Sequence, residues 1–152
     1  MIVQKLKDYL DEKKIKYVSI KHSPAFTAQD IAESAHISGK KLAKTVVVKV
    51  DNTMVMAVLS ATKKLNIENL KKAANATVVE IATENDFRNK FPGCENGAFP
   101  PFGNLYDMKV FVDEELSKEK EIGFNAGSHT EIIKLEFADF KKLVQPKIAV
   151  LH

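Results

Sequence analysis

Apolar residues Ile2, Val3, Leu6, Tyr9 and Leu10 recur at helical spacing, with Lys5, Lys7, Asp8, Asp11 and Glu12 on the rest of the wheel. Residues 2–13 therefore read as an amphipathic helix, followed by a short strand at Lys16–Lys21. In HSPAFTAQDIAESAHISGK, His22-Ser23-Pro24 turns the chain, Thr27 caps a helix with Asp30 in the capping-box position, and Gly39 ends it. The segments KLAKTVVVKV (Lys41–Val50) and MVMAVLSA (Met54–Ala61) are β-prone and apolar without alternation, and Asp51-Asn52-Thr53 separates them. They predict a hairpin at the centre of a sheet that is covered on both faces. Asn66 then caps a helix carrying Ile67, Leu70, Ala73 and Ala74. Thr77–Ile81 reads as a strand, and Thr83 caps a helix over Glu84–Lys90. The remainder gives a strand at Lys109–Val112 and a charged turn or short helix at Asp113–Glu121. Strands follow at Glu121–Asn125 and Thr130–Phe137, then a helix with Phe137, Phe140, Leu143 and Val144 on its apolar face, stopped by Pro146. The expectation is one α/β domain over residues 1–152, with helices on both sides of its sheet.

Composition agrees with that size. The chain has 152 residues, 45% of them hydrophobic, enough to bury roughly two-thirds of the unfolded surface around one core. It has no apolar run of about 18 residues, and its N-terminus is charged rather than signal-like, so the expected setting is cytoplasmic with no membrane partner. The single cysteine, Cys94, rules out an internal disulfide. Charge adds an asymmetry: residues 1–72 carry 14 lysines against 7 acids, a balance of +7, while residues 73–152 balance at −4. A basic first half fits a phosphate backbone. Only one of the 23 basic residues is arginine, however, and scattered lysines also make an ordinary solvated surface.

The densest local signal is FPGCENGAFPPFGN, Phe91–Asn104, which holds three of the six glycines and three of the five prolines. Glycine permits positive φ and close approach; proline fixes φ and removes a donor. The residues before each proline are pushed toward extended geometry. The result is a loop of one shape, anchored by Phe91, Phe99 and Phe102. Such a loop is either a plain connection or a binding element.

Candidate chemistry is sparse. Lys44 enters an apolar strand, where its ammonium must either snorkel outward or meet an anion. His22, His36, His129 and His152 lack paired metal-ligand spacing. Gly127-Ser128-His129 is not a nucleophile elbow, Cys94 has no identifiable base, and neither a P-loop nor a dinucleotide fingerprint is present. No metal and no cofactor is expected.

Three features together resemble the YbaK-type aminoacyl-tRNA deacylases, relatives of the editing domain inserted in bacterial prolyl-tRNA synthetases. They are Lys44 in LAKTVVVKV, the GxxxP loop with a following glycine in GAFPPFG (Gly97, Pro101, Gly103), and the turn Gly127-Ser128-His129 in FNAGSHTEIIKL. They occur in the family's order along nearly the whole chain. The resemblance implies a compact mixed β-sheet flanked by helices, and a hydrolase that removes the wrong amino acid from a charged tRNA in trans without metal or cofactor. The expected partners are a misacylated tRNA and an aminoacyl-tRNA synthetase. The substrate would be alanyl- or cysteinyl-tRNA of the proline isoacceptor.

On that resemblance the residues take roles. An aminoacyl ester is already activated, so orientation and charge stabilisation suffice. Backbone N–H groups of Gly97, Ala98, Phe99, Phe102 and Gly103 would face the developing oxyanion. Lys44, ammonium at neutral pH, would hold the terminal phosphate or the ester carbonyl, and the terminal ribose hydroxyl would act with water as the base. Thr45, Ser60 and His129 would orient water or the amino group. Phe26, Met56, Phe99 and Phe102 would wall a size-selective pocket, and Lys40 and Lys41 would meet tRNA. Two alternatives stay open: a non-catalytic tRNA- or synthetase-binding module, and a small-molecule ester hydrolase.

Overall fold

A computed structural model of the chain describes residues 3–22 and 37–152. Phe26 and the helix expected after Thr27 lie outside the described residues. The first element, α1 (Gln4–Glu12), sends Leu6 and Leu10 into the core, and its entry is held by the Val3 N–H donating to the Ala126 carbonyl at 2.9 Å. β1 (Tyr17–Lys21) follows, then the expected hairpin, β2 (Leu42–Val50) and β3 (Thr53–Ser60). Asp51 and Asn52 make its turn with positive φ, a conformation that Asn and Asp tolerate better than most residues.

α2 (Ile67–Ala74) starts where Asn66 Oδ1 accepts the Asn69 N–H at 3.1 Å and stops at Asn75 in the left-handed region. β4 (Val79–Ile81) leads into α3 (Glu84–Phe87), closed by a full Thr83–Asp86 capping box. α3 is shorter than the sequence predicts, because Arg88 turns extended and Asn89 takes φ 69°. After the Gly/Pro loop and a single 3₁₀ turn (Gly103–Leu105) come β5 (Lys109–Asp113), α4 (Glu114–Ser117), β6 (Glu121–Asn125) and β7 (Glu131–Glu136). Last are α5 (Phe137–Val144) and β8 (Lys147–Ala149). The sequence pattern does not anticipate β8.

The strands form one mixed sheet in the order β1-β7-β6-β2-β3-β5-β8, with β4 as an additional partner of β2. β2 and β3 pair antiparallel along almost their whole length, while β2–β6, β3–β5 and β5–β8 are parallel. Both faces are covered, as the unalternating runs require. On one face Ala43, Val47, Met56, Val58, Val112, Phe124 and Ile133 pack with α1, α5 and the loop phenylalanines. On the other, Val48, Val55, Ala57 and Phe111 pack against Leu70 of α2, and Leu42 packs with Ile132 in a smaller cluster.

One irregularity positions the site. β3 takes one edge of β2 from Ala43 to Val50. On the other edge β6 pairs only at Leu42 and Ala43, and β4 only at Val48–Val50. Among the described strands nothing pairs with residues 44–47 on that edge, so the sheet is split beside its central strand.

Candidate active site at the split in the sheet

Lys44 is the first residue of the split. Its predecessor Ala43 pairs with Phe124, and both side chains lie in the main core. Alternation therefore sends Lys44 to the opposite face, and the same register continued by one residue sets it beside Asn125. On this face it stands between the Leu42–Ile132 cluster and the α2-covered cluster that includes Val46. Burial pushes the Lys44 ammonium below its ordinary pKa, and the positive charge of Lys64 pushes the same way. No described residue pairs with it. The sequence leaves snorkelling or an anion open for this lysine; the structure shows a partly desolvated ammonium, beside a second ammonium, with no counter-charge among the described residues.

The Gly/Pro loop is fastened to the turn that follows β6. The Gly127 N–H donates to Ala98 O at 3.0 Å, and the Glu95 N–H donates to Gly127 O at 2.8 Å. His129 adds two ties: its backbone N–H reaches Glu95 Oε2 at 3.3 Å, and its Nε2 lies 2.6 Å from Asn96 O. A carbonyl oxygen only accepts, so Nε2 is the donor in this contact. The β6–β7 turn thus holds the loop, and that turn begins one residue beyond Asn125. Inside the loop, Phe91 and Phe99 stack with centroids 4.0 Å apart, and Phe102 meets Phe124 and Phe140 at 5.5 Å each. These three rings anchor it as the sequence suggests.

The structure sorts the remaining expected site residues. Gly97 is exposed, has φ +80°, and faces the His129 ring. Its N–H, like those of Phe99, Phe102 and Gly103, donates to no described residue. The Ala98 N–H is removed from the oxyanion donors, because it is spent on Glu95 O at 3.0 Å. Gly103 is buried, and a Cβ there would run into the Met108 carbonyl oxygen and the Val110 side chain, so close packing demands this glycine. Pro101 is buried beside it.

Thr45 and Ser60 do not share the Lys44 face. Thr45 follows Lys44 on a strand, and Ser60 pairs with Ala43, so both side chains lie on the main-core face. Ser60 is occupied by Gly39 O at 3.2 Å and the Thr62 hydroxyl at 2.9 Å. Thr45 contributes differently: the Lys41 and Val47 carbonyls both accept bonds on the split edge, and the two-residue period puts the main chain of Thr45 there too. Ser128 is buried, its hydroxyl 2.8 Å from Thr130 Oγ1 and accepting the Thr130 N–H, which shapes the turn. Met56 and Phe102 are fully buried core residues rather than pocket walls. Phe99 edges a small cavity of about 180 Å³ with Phe87, Arg88 and Asn96. Lys41 is half-buried, its carbonyl accepting the Gly123 N–H; Lys40 is exposed and opens onto a cleft of about 370 Å³ shared with Lys63 and Lys118.

Sequence reasoning missed two residues. Lys64 leaves no local signal, since the connection after β3 alone brings it near Lys44. Asn125 Oδ1 is buried with no hydrogen-bond partner among the described residues, an arrangement that costs about 1–3 kcal/mol. Its only trace in the sequence is a residue type that strands disfavour, at a strand end.

A larger cavity of about 1040 Å³ opens beside Thr130, between the start of α1, Lys21–His22 and Pro92–Gly93. Lys5, Lys7 and Lys21 stand on its rim with Glu131. Lys7 is already paired with Asp11 at 2.9 Å, and Lys5 lies 5.0 Å from the centre of the Tyr106 ring.

The described residues thus form an α/β domain with a split mixed sheet, a lysine on the central strand that no described residue pairs with, and a glycine–proline loop held by the β6–β7 turn. The chain belongs to the aminoacyl-tRNA editing domain family, whose model matches residues 22–143. It is 30% identical over 111 residues to the multifunctional Ser/Thr-tRNA deacylase ProXp-y of Escherichia coli, an alignment covering 70% of this chain and 66% of that protein. It is 23% identical over 142 residues to the prolyl-tRNA editing protein ProX of Acetoanaerobium sticklandii, covering 90% of this chain and 86% of that one. Its fold superposes with a TM-score of 0.82 on the crystal structure of a candidate trans-editing enzyme for prolyl-tRNA synthetase, at 18% identity, covering 97% of this chain and 94% of the other.

Proposed function

We propose that this domain hydrolyses, in trans, the ester joining a wrongly attached amino acid to its tRNA. The observation that carries the reading is Lys44: a partly buried ammonium with no counter-charge among the described residues, where the sheet splits beside its central strand. Such a group is completed by an anion, and the 3′ end of a tRNA brings phosphate and ester oxygens together. A charge-assisted bond from Lys44 contributes on the order of 1.5–3 kcal/mol.

In the proposed reaction, water oxygen bonds to the ester carbonyl carbon and the carbonyl electrons move to oxygen. The oxyanion meets the N–H of Gly97, an exposed residue, a donor of the kind worth roughly 10²- to 10³-fold in rate. The C–O bond to ribose then breaks, the ribose oxygen takes a proton, and free amino acid and deacylated tRNA leave. The terminal ribose hydroxyl, acting with water, supplies the base, and His129 fixes the loop instead of attacking. Lys5 and Lys21, on the rim of the large cavity near the β6–β7 turn, give the acceptor strand a basic approach. The substrate is a small amino acid: alanine or cysteine on the proline isoacceptor, with serine and threonine added by the name of the E. coli relative.

The test is deacylation of purified alanyl-, cysteinyl-, seryl- and threonyl-tRNA by wild type and Lys44→Ala. Cleavage of one or a few species, reduced at least about tenfold in kcat/KM by the substitution, is the expected result. Binding of charged tRNA without cleavage would replace the reading with a binding module. Equal activity on simple aminoacyl esters would replace it with a small-molecule hydrolase.

A further inference from the structure

We infer that Asn125 recognises the α-amino group of the bound aminoacyl moiety, its Oδ1 accepting an N–H from that amine. The inference rests on the deacylase reading above and assigns one further contact in the same site. Asn125 as a residue is only half-buried, yet its Oδ1 is cut off from solvent and has no hydrogen-bond partner among the described residues. A buried acceptor without a donor is a rare state in a folded protein, and here it occurs beside Lys44, a partly buried lysine that no described residue pairs with.

Position and chemistry agree. Asn125 and Lys44 follow the paired Ala43 and Phe124, so they occupy neighbouring strands on the same face at the mouth of the split. Across β7 the partner of Asn125 is Ile132, fully buried, and two residues back is Gly123, where a Cβ would stand 3.0 Å from Ile37 and 3.3 Å from Ile132. The surroundings are apolar and tight, which makes a missing hydrogen bond costly and a supplied one selective.

An amide oxygen takes only donors. Near the scissile bond, the phosphate and both ester oxygens are acceptors and belong with Lys44 and the loop N–H groups. The donors are the ribose hydroxyl, already used in the reaction, and the α-amine, attached to the carbon next to the carbonyl. A ligand that sets its ester against Lys44 therefore has its amine within reach of the neighbouring strand. Asn125 selects the aminoacyl class, leaving the side-chain pocket to select among amino acids.

The experiment compares one cleavable aminoacyl-tRNA with its des-amino counterpart, in which hydrogen replaces the amine, in wild type, Asn125→Ala and Asn125→Asp. Wild type is expected to prefer the aminoacyl substrate in kcat/KM by roughly tenfold to a hundredfold. Asn125→Ala should lose that preference while keeping its rate on the des-amino substrate, and Asn125→Asp, which keeps an acceptor, should retain it. Equal losses on both substrates, or an unchanged preference in Asn125→Ala, would overturn the assignment. If wild type cleaves neither substrate, the deacylase reading fails separately. Calorimetric binding of amide-linked aminoacyl-adenosine and its des-amino analogue then decides the role of Asn125 by the same comparison. Thermal melts of each variant identify a folding defect, and the Asp variant keeps the question answerable if the Ala variant does not fold.

Discussion

At the scale of single residues, the role proposed for Lys44 is held against stability. Burial and Lys64 lower its pKa from 10.5, so in the folded state its charged form is disfavoured relative to the unfolded chain. The folded protein then binds fewer protons than the unfolded one between the lowered value and 10.5, and stability rises with pH across that window. Below the window the penalty is present in full. Lys44→Met, which keeps the stem and removes the charge, is expected to raise the melting temperature at about pH 7. The gain should shrink as the pH approaches about 10, while deacylation is lost. Melting curves of both proteins at the two pH values check this; a variant less stable at neutral pH would show that the ammonium has a protein partner.

At the scale of elements, the Gly/Pro loop rests on two glycines with different duties. Gly103→Ala meets backbone and a branched side chain at once, and overpacking of that kind costs about 1–3 kcal/mol. Gly97→Ala meets only the His129 ring at an ordinary 3.6 Å, but it must hold positive φ, worth roughly 1–2 kcal/mol. Chemical denaturation of the two variants should show destabilisation in both, and kcat on a cleavable aminoacyl-tRNA should fall further per unit of lost stability for Gly97, an exposed residue. The reverse order would move the oxyanion site to Gly103.

The loop, the central hairpin and the capped starts at Asn66 and Thr83 were legible because each has a local cause: proline and glycine geometry, an unalternating apolar run, a side-chain cap. What escaped has a non-local one. β8 is three residues long and exists because β5 offers Phe111–Asp113 as a parallel edge. α3 ends early because Phe87 and Phe91 turn inward against Phe99. Grouping Thr45 and Ser60 with Lys44 conflicts with strand alternation, which separates consecutive side chains. Asn125 joins Lys44 only through strand order, and Lys64 only through the connection after β3.

At the scale of the whole molecule, the basic first half of the sequence does not become a basic half of the protein. β1, β2 and β3 are interleaved with β7, β6 and β5 in the sheet, which mixes the two charge balances in space. Lysines cluster locally instead, at Lys44–Lys64 and on the rim at Lys5 and Lys21. An interface neutralising about three phosphates is expected, so the logarithm of the tRNA binding constant should fall against the logarithm of salt with a slope of about −2 to −3. Binding titrations over a range of salt concentrations measure it. A slope near zero would remove phosphate contacts from the mechanism.

Where β2 has left β6 and not yet met β4, anything bound in the split would face main chain as well as side chains. An edge of peptide groups carries the same donors and acceptors whatever the sequence. Substitution can retune the apolar lining, and with it the amino acid accepted, without erasing that edge. Divergence in specificity among such domains then needs no new architecture: the recognition surface is inherited with the strand order, and only its lining has to evolve.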